Sequence, residues 1–579
     1  MRVSLKIKHW KTWGIPLLLF TFVSVLRIVG ITRADLLSDN ALDSLRAISW
    51  IDYIGGEIFS PQQLSYTPLW WSGLSFQDAP PLVFAIQHVF FELFGDTTFI
   101  ARLPFVLAGI ATVVLMYRSV ARLRDNKTAL LSSFILGISS YATWMAHSGY
   151  LEGIEQFFMV AAFFAFISFV QSPRRYRYAW IGCASLALAL ISKYTSVFML
   201  PAMLILLAIN HAKPFFTMEK IDKWTIGVQV FVVILSPVLV YNFFLYQFRG
   251  HFDSAFSAMI GMHSPDFGII SARAITAPEI GNLLGPFMTI FETSSLPFAL
   301  LLLSGFVVLF VKIIRRNSDA LEQALRLVFT FALLMFAFFP GGVRFYPILV
   351  PFFALALGLA LMDLMQRLLA QPKDIVSRSL ISVGMFIFVM IMFGEILYNI
   401  NTNILITPIG KAGVTYSPHR LKNLGFNQLD EFLRRYRIEH ISDRTPAPGV
   451  VKSIFPIRPE YQKFTSIVMY DERIHWFATS WYLLRYQIND RIPVFPETWL
   501  LDGDIAGLKS YTKRSFPNAY SVYFISPASK EAIDPVKGRL ADFELFAPLP
   551  AELWASDLPY ASIEDMRGSE VFRVYRIDL

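Results

Sequence analysis

The segments ARLPFVLAGIATVVLMYRSVA (101–121), RLRDNK (122–127), TALLSSFILGISSYATWMA (128–146) and HSGYLE (147–152) follow one another without interruption. The two long runs are apolar and have the length of a helix that crosses a bilayer, ~20 residues. The connection between them carries Arg122, Arg124 and Lys127. The connection after the second carries no Lys or Arg. Short basic connections mark the cytoplasmic side of a membrane protein. This stretch therefore reads as two spans with a cytoplasmic loop between them.

The pattern repeats in both directions. Apolar runs lie at 14–31, 101–121, 128–146, 153–171, 178–192, 194–211, 224–247, 295–314, 323–340, 345–366 and 379–400, which predicts eleven spans. Every second connection is basic: Arg2/Lys6/Lys8/Lys11, Arg122/Arg124/Lys127, Arg174/Arg175/Arg177, Lys213/Lys220/Lys223, Lys312/Arg315/Arg316 and Arg367/Lys373/Arg378. The first outward connection is acidic, with Asp35, Asp39, Asp43, Asp52, Glu57 and Asp78 against Arg33 and Arg46. The N-terminus is thus predicted in the cytoplasm and the C-terminal segment outside. Two further apolar stretches, 81–95 and 280–293, are read as outer-surface or re-entrant pieces. Counting both as spans gives thirteen. The first span has Arg27 and no small-residue cleavage site, so it reads as an uncleaved anchor.

Composition agrees. Of 579 residues, 55% are hydrophobic and 16% charged, and mean hydropathy is +0.50. Soluble domains carry about 25% charge. Fifty-four Phe and 12 Trp suit lipid-facing helices with aromatic ends. The single cysteine, Cys183, excludes an internal disulfide framework and cysteine-based metal clusters. The net charge of +8 is accounted for by topology, so no nucleic-acid partner is expected.

After about residue 400 the composition becomes that of a soluble unit. Phe426–Arg437 reads as an amphipathic helix leading into a strand near Ile438–Ser442. Thr465–Tyr470, Val522–Ile525 and Val571–Ile577 read as strands, and Ile474, Phe477, Ala478 and Trp481 recur at helical spacing. The expected organisation is a membrane unit over 1–400, with an outer loop at 32–100, and an extracytoplasmic α/β unit over 401–579.

Ionisable side chains at membrane depth are costly and need a reason. Here they collect at outer span ends: Asp39, Asp43, Asp78, Glu152, Lys193, Arg249, His251, Asp253 and Arg344. Asp39 opens a helical segment with Asp43 and Arg46 behind it. It is either a helix cap or a general base for an acceptor hydroxyl. Asp78 stands at a corner fixed by Pro80 and Pro81, and by itself that is a turn. Lys193 interrupts an apolar stretch over 178–210 and either snorkels to the surface or neutralises a phosphate. Arg249-Gly250-His251-Phe252-Asp253 is the densest polar motif of the membrane half. Its Arg suits phosphate recognition, and His251 and Asp253 suit a metal or an acceptor group. Gly341-Gly342-Val343-Arg344-Phe345-Tyr346-Pro347 is a sharp outer turn carrying one Arg.

Ser38-Asp39-Asn40, Asp78-Ala79-Pro80-Pro81-Leu82, Phe94-Gly95 with Ala101-Arg102-Leu103-Pro104, the Glu152 motif, Lys193-Tyr194-Thr195 and Arg344-Phe345-Tyr346 with Pro351 occur in that order. With this order the chain resembles the GT-C superfamily of membrane glycosyltransferases. Within it, the chain looks like the branch of protein O-mannosyltransferases and lipid A aminoarabinose transferases. The resemblance implies a polytopic helical fold and a polyprenyl-phosphate sugar donor. It implies an acceptor on a glycan, lipid or protein, and a multi-pass setting in a bacterial inner membrane. It places Asp39 at the catalytic centre with Glu152. Asp43, Asp78, Lys193, Arg249, His251, Asp253, Arg344 and Tyr346 then bind substrate. Some relatives use a divalent cation, for which Asp78, His251 and Asp253 are the candidates. The chain departs from the pattern at Asn40, where many relatives have Glu. It departs again at Gln77-Asp78-Ala79, where relatives have a His or Lys before the two prolines.

Two other classes compete. A transporter or flippase favours charges near mid-span, inverted repeats and broken helices. The charges here sit at outer ends and no repeat is visible. A non-catalytic scaffold with an outer ligand-binding domain leaves the polar cluster of the membrane half unused.

Overall fold

The computed structural model describes residues 2–49, 79–172, 176–217, 220–262, 279–312, 319–339, 341–370, 375–440, 466–488, 492–497, 505–534 and 558–579. The chain opens with α1 (Arg2–Ile28), α2 (Asp39–Ser49), α3 (Leu82–Phe94), α4 (Thr98–Leu123), α5 (Asn126–Ile138), α6 (Ser140–Ser148), α7 (Glu152–Gln171) and α8 (Arg177–Ser192). A short 3-10 turn, Tyr194–Phe198, leads into α9 (Met199–Thr217), α10 (Lys220–Arg249), α11 (Ser254–Met259) and α12 (Ile280–Thr293). Then come α13 (Leu296–Val311), α14 (Ala320–Phe338), α15 (Val350–Ala370) and α16 (Ile375–Asn399).

Among the described residues, five helices are long and apolar enough to cross a membrane: Thr98–Leu123, Glu152–Gln171, Ala320–Phe338, Tyr346–Leu368 and Ile381–Ile404. The pair α5 and α6, bent by 59°, makes a sixth. Shorter apolar helices at Gly14–Ile28, Arg177–Ser192, Tyr194–Asn210, Val232–Gln247 and Leu296–Val311 occupy the other expected stretches. The 81–95 and 280–293 stretches form α3 and α12.

Capping sets the starts of several helices. Asp125 accepts from the backbone N–H of Lys127 and Thr128 at the start of α5, and Thr97 accepts from Ile100 at the start of α4. The bend between α5 and α6 falls at Ser139. Breaking a helix inside a membrane strands backbone groups that must find partners. Glu395 of α16 accepts the Ser140 N–H at 2.8 Å, and Asn399 donates to the Ile138 carbonyl at 2.9 Å. Glu395 also caps α13 through the Ser295 N–H and hydroxyl. The second interruption is at Lys193, whose extended backbone separates α8 from the 3-10 turn.

The helices share one apolar core. Phe306, Phe329 and Phe353 of α13, α14 and α15 meet ring to ring at 4.7–5.9 Å. Gly305 lets α13 lie directly on α15, since a Cβ there would stand 2.6 Å from the Cα of Leu357.

The C-terminal part adds α17 (Phe426–His440), β1 (Ser466–Tyr470), α18 (Trp476–Thr479), a π-helical turn Ser480–Leu484, α19 (Arg485–Ile488), β2 (Val494–Pro496), α20 (Ile505–Ser515), β3 (Ser521–Pro527), β4 (Tyr560–Glu564) and β5 (Glu570–Asp578). The strand expected near 438–442 is not formed over its first half: α17 runs on through His440, and 441–442 lie outside the described residues. The sheet order is β2-β1-β3-β5-β4. β1 is parallel to β2 and β3, and β5 is antiparallel to β3 and β4.

A second apolar core runs across both parts. It joins Leu42 and Leu45 of α2 and Phe84 and Phe91 of α3 to Phe426, Trp481 and Tyr482. Phe91 and Trp481 lie 5.6 Å apart, centroid to centroid. Polar clamps seal the same seam. Asp35 accepts from the backbone N–H of Leu424 (2.5 Å), Asn427 (2.9 Å) and Phe426 (3.3 Å) at the start of α17. Buried Arg102 donates to the carbonyls of Ile31, Ala34 and Asp35 at 2.7–2.8 Å. Arg434 and Arg485 both reach the Asp96 carbonyl, at 2.5 and 2.8 Å, and both pair with Asp430.

Candidate active site

A cavity of about 410 Å³ opens where several helices end on one side of the bundle. Its polar lining includes Asp39, Asp43, Tyr150, Glu152, Lys193, Thr195 and Arg344. Its apolar lining includes Val197, Met259, Met335, Phe336 and Phe339. Ala79 and Pro80 close one edge. The polar groups come from four places in the chain, and each is held by its own local structure.

Asp39 is the first residue of α2. A carboxylate there is favoured in its charged form by the helix dipole. Ser38, just before it, shares a 2.8 Å hydrogen bond between its hydroxyl and that of Tyr150. Asn40, just after it, donates to the Ser148 carbonyl at 2.6 Å and accepts the Ser38 N–H at 3.1 Å. Asn40 is therefore a tether rather than a second acid in the pocket. Asp43, one turn on, pairs with Arg46 at 3.7 Å, and both are buried.

Arg344 sits on the turn between α14 and α15 and forms an ion pair with Asp39. Its guanidinium lies 4.8 Å from the Phe345 ring centroid and 6.0 Å from that of Tyr150. Burial lowers its pKa to about 10, which leaves it cationic at neutral pH. Tyr346 shapes this turn: its hydroxyl donates to the Gly341 carbonyl at 2.7 Å and accepts the Gly341 N–H at 3.2 Å.

Lys193 pairs with Glu152 at 2.5 Å, and its ammonium lies 4.7 Å from the Phe345 ring centroid. Phe345 thus carries two cations on its ring, Lys193 and Arg344, each with its own carboxylate. Glu155, one turn into α7 from Glu152, accepts from the Thr195 hydroxyl at 2.7 Å and the Ser196 N–H at 2.5 Å. The two acids grip the Lys193–Ser196 junction from both ends.

The Arg249–Asp253 motif is placed differently. Asp253 is fully buried and caps α11, accepting from Ala255 at 2.8 Å and Phe256 at 3.2 Å, and it also accepts the Tyr241 hydroxyl at 3.2 Å. The Nδ1 of His251 is 2.9 Å from the Phe252 carbonyl. Neither side chain lines the cavity, nor does Tyr346. Arg249 ends α10, and its side chain and Asp78 lie outside the described residues. Among the described residues, no three His, Cys, Asp or Glu side chains converge as metal ligands. Asp253 is committed to capping α11 and to Tyr241.

Sequence reasoning passed over two residues here. Tyr150 carries no charge and drew no notice, although it touches Ser38 and Arg344. Glu155 stands one helical turn after Glu152, and two acids on one face of an apolar helix were a legible signal.

Residues 78–241 match the family model described as dolichyl-phosphate-mannose-protein mannosyltransferase. The chain is similar in structure to ArnT from Cupriavidus metallidurans in the apo state, with 12% identity, 97% of this chain and 98% of that chain covered, and a TM-score of 0.50. The same protein bound to undecaprenyl phosphate gives 12% identity, the same coverage of 97% and 98%, and a TM-score of 0.51. The Archaeoglobus fulgidus oligosaccharyltransferase in its apo form matches over 90% of this chain and 70% of that chain, at 12% identity and a TM-score of 0.50. No curated protein matches the chain in sequence. The chain shares the GT-C fold of these structures.

Proposed function

We propose that this GT-C chain is a glycosyltransferase that moves a sugar from a polyprenyl-phosphate carrier to an acceptor hydroxyl, with Asp39 as the base. One observation carries the reading. A carboxylate at a helix N-terminus, Asp39, shares a cavity with two cations, Lys193 and Arg344, at the end of the apolar helices. That is the charge pattern this reaction requires. Likeness to a structure bound to undecaprenyl phosphate supports the choice of carrier.

The step is one displacement at the anomeric carbon. The acceptor oxygen forms a bond to that carbon as the bond to the phosphate oxygen breaks, and the configuration inverts. The acceptor proton passes to Asp39, within whose reach the hydroxyl must lie. The electron pair of the broken bond leaves with the polyprenyl phosphate. Lys193 and Arg344 are preorganised where that charge grows, and donors fixed in this way act mainly on the transition state. Arg344 also holds Asp39 in place through their ion pair. Glu152 and Glu155 hold Lys193 in place, and Asp43 and Asp78 orient sugar or acceptor. The apolar wall of Met259, Met335, Phe336 and Phe339 suits the first isoprene units.

The setting we infer is a bacterial inner membrane, with the N-terminus cytoplasmic and the cavity and residues 401–579 on the outer side. The acceptor is a glycan, a lipid or a protein of the envelope. The test uses purified protein in lipid, a panel of labelled polyprenyl-phosphate sugars and an envelope extract as acceptor. Label passing into the extract supports the reading and names the acceptor. No transfer from any donor, together with no binding of undecaprenyl phosphate, overturns it.

A further inference from the structure

We propose that the loop 405–416 is a membrane-surface anchor, inserting Ile409 and Val414 into the leaflet on the cavity side of the bundle with Lys411 at the headgroups. This inference does not depend on the chemistry of the cavity.

The loop is built, not loose. Asn401 accepts the Ile409 N–H at 2.8 Å and donates to the carbonyls of Ile409 (2.8 Å) and Thr415 (3.0 Å). The Thr415 hydroxyl donates to the Ile409 carbonyl at 2.7 Å, and Gly413 N–H to Tyr416 at 2.8 Å. Gly410 and Gly413 take φ of +93° and +79°, in the left-handed region that glycine alone enters freely. These bonds hold an apolar tip outward: Ile409 is 75% exposed and Val414 66%. Side chains exposed to that degree elsewhere stand on the apolar helices, among them Leu18 at 72%, Leu93 at 67% and Phe386 at 66%. An exposed apolar patch on a rigid support marks an interaction surface.

The loop's position names the partner. The span Ile381–Ile404 ends one residue before it. The outward face of that span, with Val383, Phe386, Val389, Phe393 and Leu397 all exposed, runs straight into the loop. Two arginines hold its base, Arg33 on the Ile404 carbonyl at 2.6 Å and Arg420 on the Ile406 carbonyl at 3.2 Å. Arginines at a span end sit at the lipid–water boundary. Two apolar side chains beside a lysine match an interfacial element, which buries its apolar face ~5–10 Å into the headgroup region. A second copy of the chain fits poorly, because a stable protein interface needs ~800 Å² from each partner and this tip offers far less.

The anchor reaches the cavity through the chain that follows it. The His419 carbonyl accepts the Trp144 indole N–H at 2.8 Å, and Leu424, Phe426 and Asn427 donate to Asp35, four residues before Asp39. Fixing the loop at the bilayer surface fixes the height of the segment that holds the Asp39 helix.

The lone, buried Cys183 makes the test clean. In a Cys183→Ala background, Ile409→Cys, Val414→Cys and, as a solvated control, Lys530→Cys receive an environment-sensitive fluorophore. The full-length proteins are reconstituted in phosphatidylcholine–phosphatidylglycerol vesicles with nitroxide lipids spin-labelled high on the acyl chain. The proposal expects blue-shifted emission at 409 and 414, with roughly half or more of it quenched, and none quenched at 530. Emission at 409 and 414 that matches 530 overturns it. A blue shift without lipid quenching that disappears on diluting the protein also overturns it, in favour of contact between copies.

Discussion

At the scale of single residues, the cavity is an arrangement of two carboxylate–cation pairs around Phe345. In the proposed reaction Lys193 and Arg344 would each give the carrier phosphate a charge-assisted hydrogen bond, worth roughly 1.5–3 kcal/mol. Lys193→Ala and Arg344→Ala should each weaken undecaprenyl phosphate binding by about 10–100-fold, as measured on purified protein in lipid. Arg344→Lys should recover part of the loss. Unchanged affinity in both alanine variants would remove the phosphate role from these side chains. That Asp39, Asp43, Glu152, Lys193 and Arg344 gather around one cavity was legible from sequence for a physical reason: a charge at the end of an apolar run is costly to place and so stands out. His251 and Asp253 stood out equally, yet the same chemistry that makes Asp a ligand makes it a helix cap, and Asp253 caps α11. Sequence spacing alone does not separate these uses. Tyr150 and Glu155 were missed because their roles are defined by contacts with Ser38, Arg344 and Thr195, distant in sequence or in another element.

At the scale of elements, the interruptions of the helices matter more than the helices. The apolar runs were legible because bilayer thickness fixes their length. The 59° bend between α5 and α6 was not, since it depends on Glu395 and Asn399 arriving from α16, more than 250 residues on. Glu395 serves two helix starts at once, those of α6 and α13. Glu395→Ala strands the N–H groups of Ser140 and Ser295, and each buried orphan costs ~1–3 kcal/mol. Thermal unfolding in detergent should show a drop of several degrees, while Glu395→Gln, which keeps an acceptor, should lose less. Equal losses would show that the acceptor oxygen is not what these helix starts need. The C-terminal strands β1, β3 and β5 were legible as short β-branched and aromatic runs. Over 438–440 the expected strand is instead the end of α17, and Ile438 and Ile441 stand three residues apart in the sequence, a helical rather than an alternating spacing.

At the scale of the whole molecule, the C-terminal part and the Asp39 helix share one core, and the seam turns on Asp35. Burial raises its pKa to about 6, against the opposing pull of the Leu424, Asn427 and Phe426 N–H groups and of Arg102. A carboxyl raised above its unfolded value of 3.8 stabilises the fold fully below that value and loses the contribution as pH rises through 6. Stability of the wild type should therefore decline between about pH 4 and 6 by roughly 1–3 kcal/mol from this group. Asp35→Asn should lack that part of the slope in unfolding curves taken across the range, and identical slopes would exclude Asp35 as its source. The seam was invisible in the sequence, where composition divides the chain near residue 400 and says nothing of which surfaces meet. The central claim is that Asp39 is the base of a transfer from a polyprenyl-phosphate sugar. The most direct test compares wild type with Asp39→Asn, measuring the transfer rate and undecaprenyl phosphate affinity on the same reconstituted samples. The account predicts a transfer rate lower by about 10²–10⁴-fold with affinity nearly kept. Transfer by Asp39→Asn within a few-fold of wild type would contradict it.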